Sequence, residues 1–158
     1  MARPRDVPGF DCEEPFGRAA ARVVEVRSVE VFEHSRGVLD TGEVDRVHDM
    51  RVATRRLRAA MEVFEPCFPR KRFRKALKEV KALADALGER RDRDVEIEFL
   101  GRFAEQVDPA DRASVDEAVG RLREEQAEAN EALAPFVGDE RLGKLRRRLA
   151  KLAKAAGK

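Results

Sequence analysis

The sequence predicts an all-α protein, an antiparallel bundle of about six helices, and three observations carry that reading. Apolar residues recur at i, i+3, i+4 and i+7 through most of the chain, and no stretch alternates as a strand does. Proline or glycine stands at nearly every joint between these runs. Charged residues make up 41% of the chain, with no tryptophan or tyrosine, a composition suited to helices with charged outer faces. At 158 residues the chain suits one domain with its own core.

Residues 1–14 read as a flexible tail, with Pro4, Pro8 and Gly9, and residues 15–158 as a single helical domain. The first helix is expected from about Pro15 to Arg36, before Gly37, with Phe16, Ala20, Val23, Val24 and Val31 as its apolar positions. VLDTGEVD is a turn, where Asp40 or Thr41 can cap a second helix running from about Glu43 to Glu65 and stopped by Pro66. A third follows Pro69 and ends near Leu87, with Gly88 just past its end. The fourth starts at RDRDV with Asp92 as cap, and the fifth runs from Pro109 to about Ala134, stopped by Pro135. These two would form one interrupted arm. The last runs from Asp139 to about Ala156.

No run of about 18 apolar residues exists, so no membrane span is expected. The N-terminal MARPRDVPGFDCEEP lacks the apolar stretch of a signal peptide. Cys12 and Cys67, two cysteines far apart, fit free thiols in a reducing cytoplasm.

The net charge of +2 hides a segregation. Residues 1–45 carry six basic and ten acidic side chains, residues 46–81 twelve and four, residues 82–138 seven and fifteen, and residues 139–158 eight and two. A basic region inside an acidic frame points to a localised anion site.

At about 100° per residue the second helix divides into two faces. Met50, Ala53, Leu57, Ala60, Met61 and Phe64 share one; His48, Arg51, Arg55, Arg58 and Glu62 share the other, within about 80°. Arg56 lies off the edge of that stripe. A solvated face ordinarily interleaves acids with bases, whereas this row is nearly acid-free and rich in arginine, whose forked donors match phosphate and carboxylate. The third helix repeats the pattern, with Phe73, Ala76, Leu77, Val80, Ala84 and Leu87 opposite Lys71, Arg74, Lys75, Lys78 and Lys81. The short PCFP connection makes the two helices antiparallel neighbours, so their basic rows can converge. The last helix sets Lys144, Arg147, Arg148 and Lys151 opposite Leu142, Leu145, Leu149 and Leu152. That row equally suits stems lying along an apolar surface, and its joining the others depends on the bundle order. Asp92 and Asp94 read first as acids at a helix start, and Arg91, just before it, can reach the basic surface.

His48-Asp-Met-Arg51-Val-Ala-Thr-Arg55-Arg56-Leu57-Arg58-Ala closely resembles the opening signature of the CHAD family, the conserved histidine α-helical domain. Leu87-Gly88-x-x-Arg91-Asp92-x-Asp94-Val95 is similar to its second signature, and the resemblance spans roughly residues 15–155. It implies an all-helical domain that binds inorganic polyphosphate through a basic surface, with His48, Arg51, Arg55, Arg56 and Arg58 as phosphate contacts and the bases of the third helix beside them. The usual domain of that family is about twice as long and holds two related bundles. This chain has one signature, since His34 lacks the arginine ladder, so a homodimer about a two-fold axis is expected to rebuild the double bundle. A monomer with a shallower site is the alternative.

No cofactor, metal or catalytic residue is expected, because no glycine-rich phosphate loop and no nucleophile–base pair is present. The rival readings are non-specific binding of a nucleic-acid backbone and a helical scaffold for an acidic protein partner. Specific nucleic-acid recognition is disfavoured: all nine aromatics are phenylalanines, most at apolar positions or in turns, and no Asn or Gln lies on the basic stripes. The expected location is the cytoplasm, with association with polyphosphate granules as a further prospect.

Overall fold

In a computed structural model that describes residues 3–156, five α-helices follow one another, and no strand occurs among the described residues. They are α1 (Phe16–Glu33), α2 (Val44–Val63), α3 (Arg70–Ala104), α4 (Pro109–Val137) and α5 (Asp139–Ala156), with a 3-10 turn at Glu65–Cys67. The all-α bundle is as expected, but the count is five rather than six. The expected third and fourth helices are one, and Gly88, Arg91 and Asp92 lie inside it rather than at a break. A glycine inside a helix costs only about 1 kcal/mol relative to alanine. Val80, Leu83 and Leu87 before it, and Arg90 and Asp94 after it, are all buried, and no proline interrupts residues 70–104.

Two other boundaries differ. The α4 helix continues through Pro135 to Val137, because a proline so near the end deprives only the Glu131 carbonyl of its donor, at an exposed turn. Gly138 alone separates α4 from α5. The α1 helix ends at Glu33, and the chain turns at Gly37, whose φ of +70 belongs to the left-handed region; a Cβ there would sit 3.0 Å from Arg46 Nη1. Asp40 Oδ1 accepts from the Gly42 N–H at 2.9 Å instead of capping α2.

The α1 helix lies between α2 and α5, and α3 packs on α2, on α5 and, most extensively, on α4. Val24 and Val31 of α1 meet Met50, Leu57 and Met61 of α2, Phe73, Val80 and Leu87 of α3, and Leu145, Leu149 and Leu152 of α5 in one buried cluster. The first half of α3 thus completes a four-helix bundle. Its second half projects with α4 as a two-helix arm. At 35 residues, α3 is about 52 Å long.

A polar network fixes the base of the arm. Arg90 is 0% exposed and Asp94 2%, and Arg90 Nε donates to Asp94 Oδ1 at 3.1 Å. From α4, Gln126 Nε2 donates to the same oxygen at 2.6 Å, and Arg90 Nη1 donates to Asn130 Oδ1 at 2.7 Å. Asn130 Nδ2 in turn donates to the Leu39 carbonyl at 2.9 Å, tying in the α1–α2 loop. Asp94 is therefore a buried counter-ion, not an acid at a helix start.

Residues 3–15 form no helix. The Arg5 N–H donates to Glu30 at 2.5 Å, Arg27 reaches the Arg5 carbonyl at 3.0 Å, and Arg22 pairs with Glu14 at 3.0 Å, so this segment follows the flank of α1. Cys12 is exposed, Cys67 half-buried, and the two are unpaired.

Gly88 offers a test of helix continuity. A Cβ there would meet only Arg51 Nε at 4.0 Å, an ordinary contact. Gly88→Ala should stabilise the protein by about 0.5–1 kcal/mol in urea unfolding. Destabilisation of that size would mean that the helix breaks at this point.

Candidate functional site

The basic row of α2 lies along its flank towards α3. Two contacts set the antiparallel register: Glu62 beside Lys81, and Arg51 beside Gly88. Arg58 Nε donates to Glu62 Oε1 at 3.0 Å and Lys81 Nζ lies 3.6 Å from the same oxygen, so one carboxylate is shared by a cation from each helix. Arg55 is exposed, whereas His48, Arg51 and Arg58 are half-buried. Arg56 falls about 120° from the centre of the stripe and faces the α1 side.

The same register grades the seam. It puts Lys78 and Arg74 at its lower end, near the α2–α3 connection, and brings Asp85 level with Arg55 and Asp92 level with His48. No ion pair among the described residues joins either acid to the stripe. Arg91 sits level with His48, half-buried, and its Nη1 is buried without a hydrogen-bond partner. The cationic end of the seam is therefore the Arg58–Lys81–Lys78–Arg74 end.

The bases of α3 do not all face one way. Lys71, Arg74, Lys75 and Lys78 are exposed. Arg72 falls about 160° round the helix from Arg74, and with Lys75 it faces α5 across a cleft of about 800 Å³. Lys144, Arg147, Arg148 and Lys151, the row of the last helix, line that cleft together with Lys154. Arg148 hydrogen-bonds to Glu79 of α3, and Lys144 donates to Glu140 at 2.5 Å. The order of the bundle thus joins the α5 row to α3, on the flank opposite α2. Arg72 and Lys154 were absent from the residues singled out in the sequence. Arg72 could have been found from its angle on the helix, once α5 was known to lie on that side.

The hydrogen bond from Arg58 holds the Glu62 carboxyl below its ordinary range; the charges of Arg58 and Lys81 add to this, and slight burial opposes it. A depressed carboxyl contributes its pairing above its unfolded value, about 4.3, and loses it as pH falls through the lower folded value. Glu62 therefore stays ionised at neutral pH and neutralises part of the seam. The hydrogen bond from Lys144, reinforced by its charge, acts likewise on Glu140.

Fold and site together define an all-α bundle with one helix, α3, basic on both flanks and poor in acids at its N-terminal half. Residues 25–158 match the CHAD domain, nearly the whole chain, and the protein belongs to that family. CHAD domains are associated with polyphosphate binding and are generally binding domains rather than catalysts. No curated protein matches the chain. Among the described residues, no helix is long and apolar enough to cross a membrane, and no group of three His, Cys, Asp or Glu side chains could hold a metal ion.

Because Glu62 occupies two cations of the seam, Glu62→Gln should tighten polyanion binding at neutral pH. Exposed pairs of this kind are worth about 0.2–1 kcal/mol, so an increase of up to about five-fold is expected in a titration at fixed low salt. Weaker binding would show that Glu62 positions Arg58 rather than competing for it.

Proposed function

We propose that this protein binds inorganic polyphosphate, without catalysis, along the seam between α2 and α3. His48, Arg51, Arg55 and Arg58 supply contacts from α2, and Lys71, Arg74, Lys75, Lys78 and Lys81 from α3, with Arg91 at the upper end. The observation that carries this reading is the convergence of Arg58 and Lys81 on a single carboxylate. Two basic rows meet there, with Asp85 and Asp92 only further up the seam, in a chain of a family associated with this ligand. A helix stripe offers a donor about every 5 Å along its axis, a spacing suited to an extended phosphate chain. Arg56 faces away from the seam and contributes only where a chain turns towards α1. The cytoplasm, in association with polyphosphate granules, is the proposed place of action; two unpaired cysteines are in keeping with it.

The test is a competition titration in which labelled long-chain polyphosphate is displaced by unlabelled polyphosphate, duplex DNA or heparin at matched charge and fixed salt. Selective displacement by polyphosphate, and loss of at least about ten-fold in affinity on Arg51→Ala/Arg55→Ala/Arg58→Ala, is expected from three lost charge-assisted contacts. Equal displacement by every polyanion would reduce the seam to a generic basic surface.

We propose further that two copies associate about a two-fold axis. Val95, Phe99 and Phe103 are 46, 62 and 45% exposed and succeed one another at i, i+4 and i+8 on α3, on the flank that α2 covers lower down but does not reach there. An apolar stripe of this kind suits burial against its own symmetry mate. Light scattering should give twice the chain mass, and Phe99→Ser should return the mass of one chain with helical circular dichroism unchanged. A single-chain mass for the unsubstituted protein at micromolar concentration would overturn the dimer.

A further inference from the structure

We infer that the cleft between α3 and α5 is a second polyanion seat, and that one long polyphosphate chain passes from the α2–α3 seam over the exposed crest of α3 into it. The inference rests on the polyphosphate reading above.

The cleft is about 800 Å³, and the polar side chains lining it are all cationic. Two of them are neutralised, Arg148 by Glu79 and Lys144 by Glu140. Arg72, Lys75, Arg147, Lys151 and Lys154 have no carboxylate partner among the described residues. Like charges facing one another across a cleft repel, and elsewhere this chain relieves such charge locally: Arg121 pairs with Glu117 at 2.9 Å and Arg93 with Glu125 at 2.8 Å. What sets the α3–α5 cleft and the lower seam apart is that several such unpaired cations gather on the two flanks of one stretch of helix.

That stretch is continuous in charge. Taken round α3, Arg74, Lys78, Lys71, Lys75 and Arg72 follow one another at intervals of no more than about 60° and cover about 160° of its solvent side. At the radius of side-chain heads this arc is about 15 Å, longer than three linked phosphates reach. A short phosphate chain can therefore fill either flank alone, and a long one can fill both. Linking two weak seats through one ligand makes the second contact intramolecular and raises the overall affinity above that of either seat.

The experiment compares inorganic tripolyphosphate with long-chain polyphosphate by calorimetry at fixed salt, on the full chain and two variants. Arg51→Ala/Arg55→Ala/Arg58→Ala alters the seam, and Arg147→Gln/Lys151→Gln/Lys154→Gln alters the cleft. The three cleft positions are exposed, so the core is untouched, and thermal melting followed by circular dichroism checks the fold of both variants. Two tripolyphosphates per unsubstituted chain and one per variant are expected. Long-chain affinity should fall at least about ten-fold in either variant, and the slope of log K against log salt should flatten by about 2 in the cleft variant, for three lost contacts. One tripolyphosphate per chain, lost only in the seam variant, with long-chain binding unchanged in the cleft variant, overturns the second seat and leaves the seam standing. Loss only in the cleft variant overturns the seam and, with it, the wrapped path. Two tripolyphosphates with long-chain binding indifferent to the cleft substitutions overturn the wrapped path alone. No binding of either phosphate to the unsubstituted chain overturns both readings.

Discussion

The buried ion pair between Arg90 and Asp94 is the constraint on which the rest of the structure depends. Removing two charges from water is expensive, and the attraction between them repays that only when further hydrogen bonds complete the pair. Gln126 and Asn130 supply two such bonds from α4, although Asp94 Oδ2 and Arg90 Nη2 keep no hydrogen-bond partner, so the pair gains this support only when α4 lies antiparallel along α3 in one register. The same α3 runs unbroken through Gly88, which joins this pair to the bundle. The register also determines where α4 ends, hence where Gly138 hands the chain to α5, and so which flank of α3 the α5 bases face. The basic cleft is in this sense a distant consequence of a buried carboxylate.

Segregation of charge along the chain becomes segregation in space. The acidic stretch of residues 82–138 forms most of the arm, while residues 46–81 and 139–158, both strongly basic, form the base of the bundle. Like charges gathered on one end destabilise it, and the few acids present are placed as local relief: Glu62 between Arg58 and Lys81, Glu79 on Arg148, Glu140 on Lys144. Such exposed pairs contribute little to stability. Their effect is rather to leave particular cations occupied and others free, which gives the surface a pattern instead of a uniform field.

Much of this was legible in the sequence because it rests on periodicity. The α2 stripe, its apolar face, and the antiparallel pairing through PCFP all follow from 3.6-residue spacing and a short connection. Helix ends were less legible. Gly88 has the composition of a stop signal, but the packing of Leu87, Arg90 and Asp94 decides the matter, and packing is not local. Asp94 shows the same difficulty from the other side: beside Asp92 it resembles an acid at a helix start, and only its burial with Arg90 beneath Gln126 of α4, 32 residues away in the chain, reveals a buried counter-ion. The split of the α3 bases between two flanks was hidden for a third reason. A helical wheel gives angles, but which angle is a groove depends on which helices flank it, and the place of α5 is set by the arm.

The shape of this surface bears on which polyanion it suits. Five free cations lie around the outside of one helix, α3, on a convex crest about 10–12 Å across, and those of α2 and α5 stand across a groove on either side. Double-stranded DNA, with a persistence length of about 50 nm, cannot follow so tight a curve and would touch the crest along a single line, missing at least one groove. Single-stranded nucleic acid could bend around it, but its binding draws on aromatic stacking; at this end Phe68 and Phe73 are buried with ring centroids 6.0 Å apart, and Phe16, though 61% exposed, packs on Phe64 with centroids 5.0 Å apart. A phosphate chain has no bases to stack and is flexible at every link, and each phosphate carries its own charge. Curvature that penalises the nucleic acids therefore costs such a chain little, and it brings more cations within reach of each unit length. On the proposed reading, discrimination by this surface would arise from flexibility and charge density, with no need for a pocket shaped to a particular group.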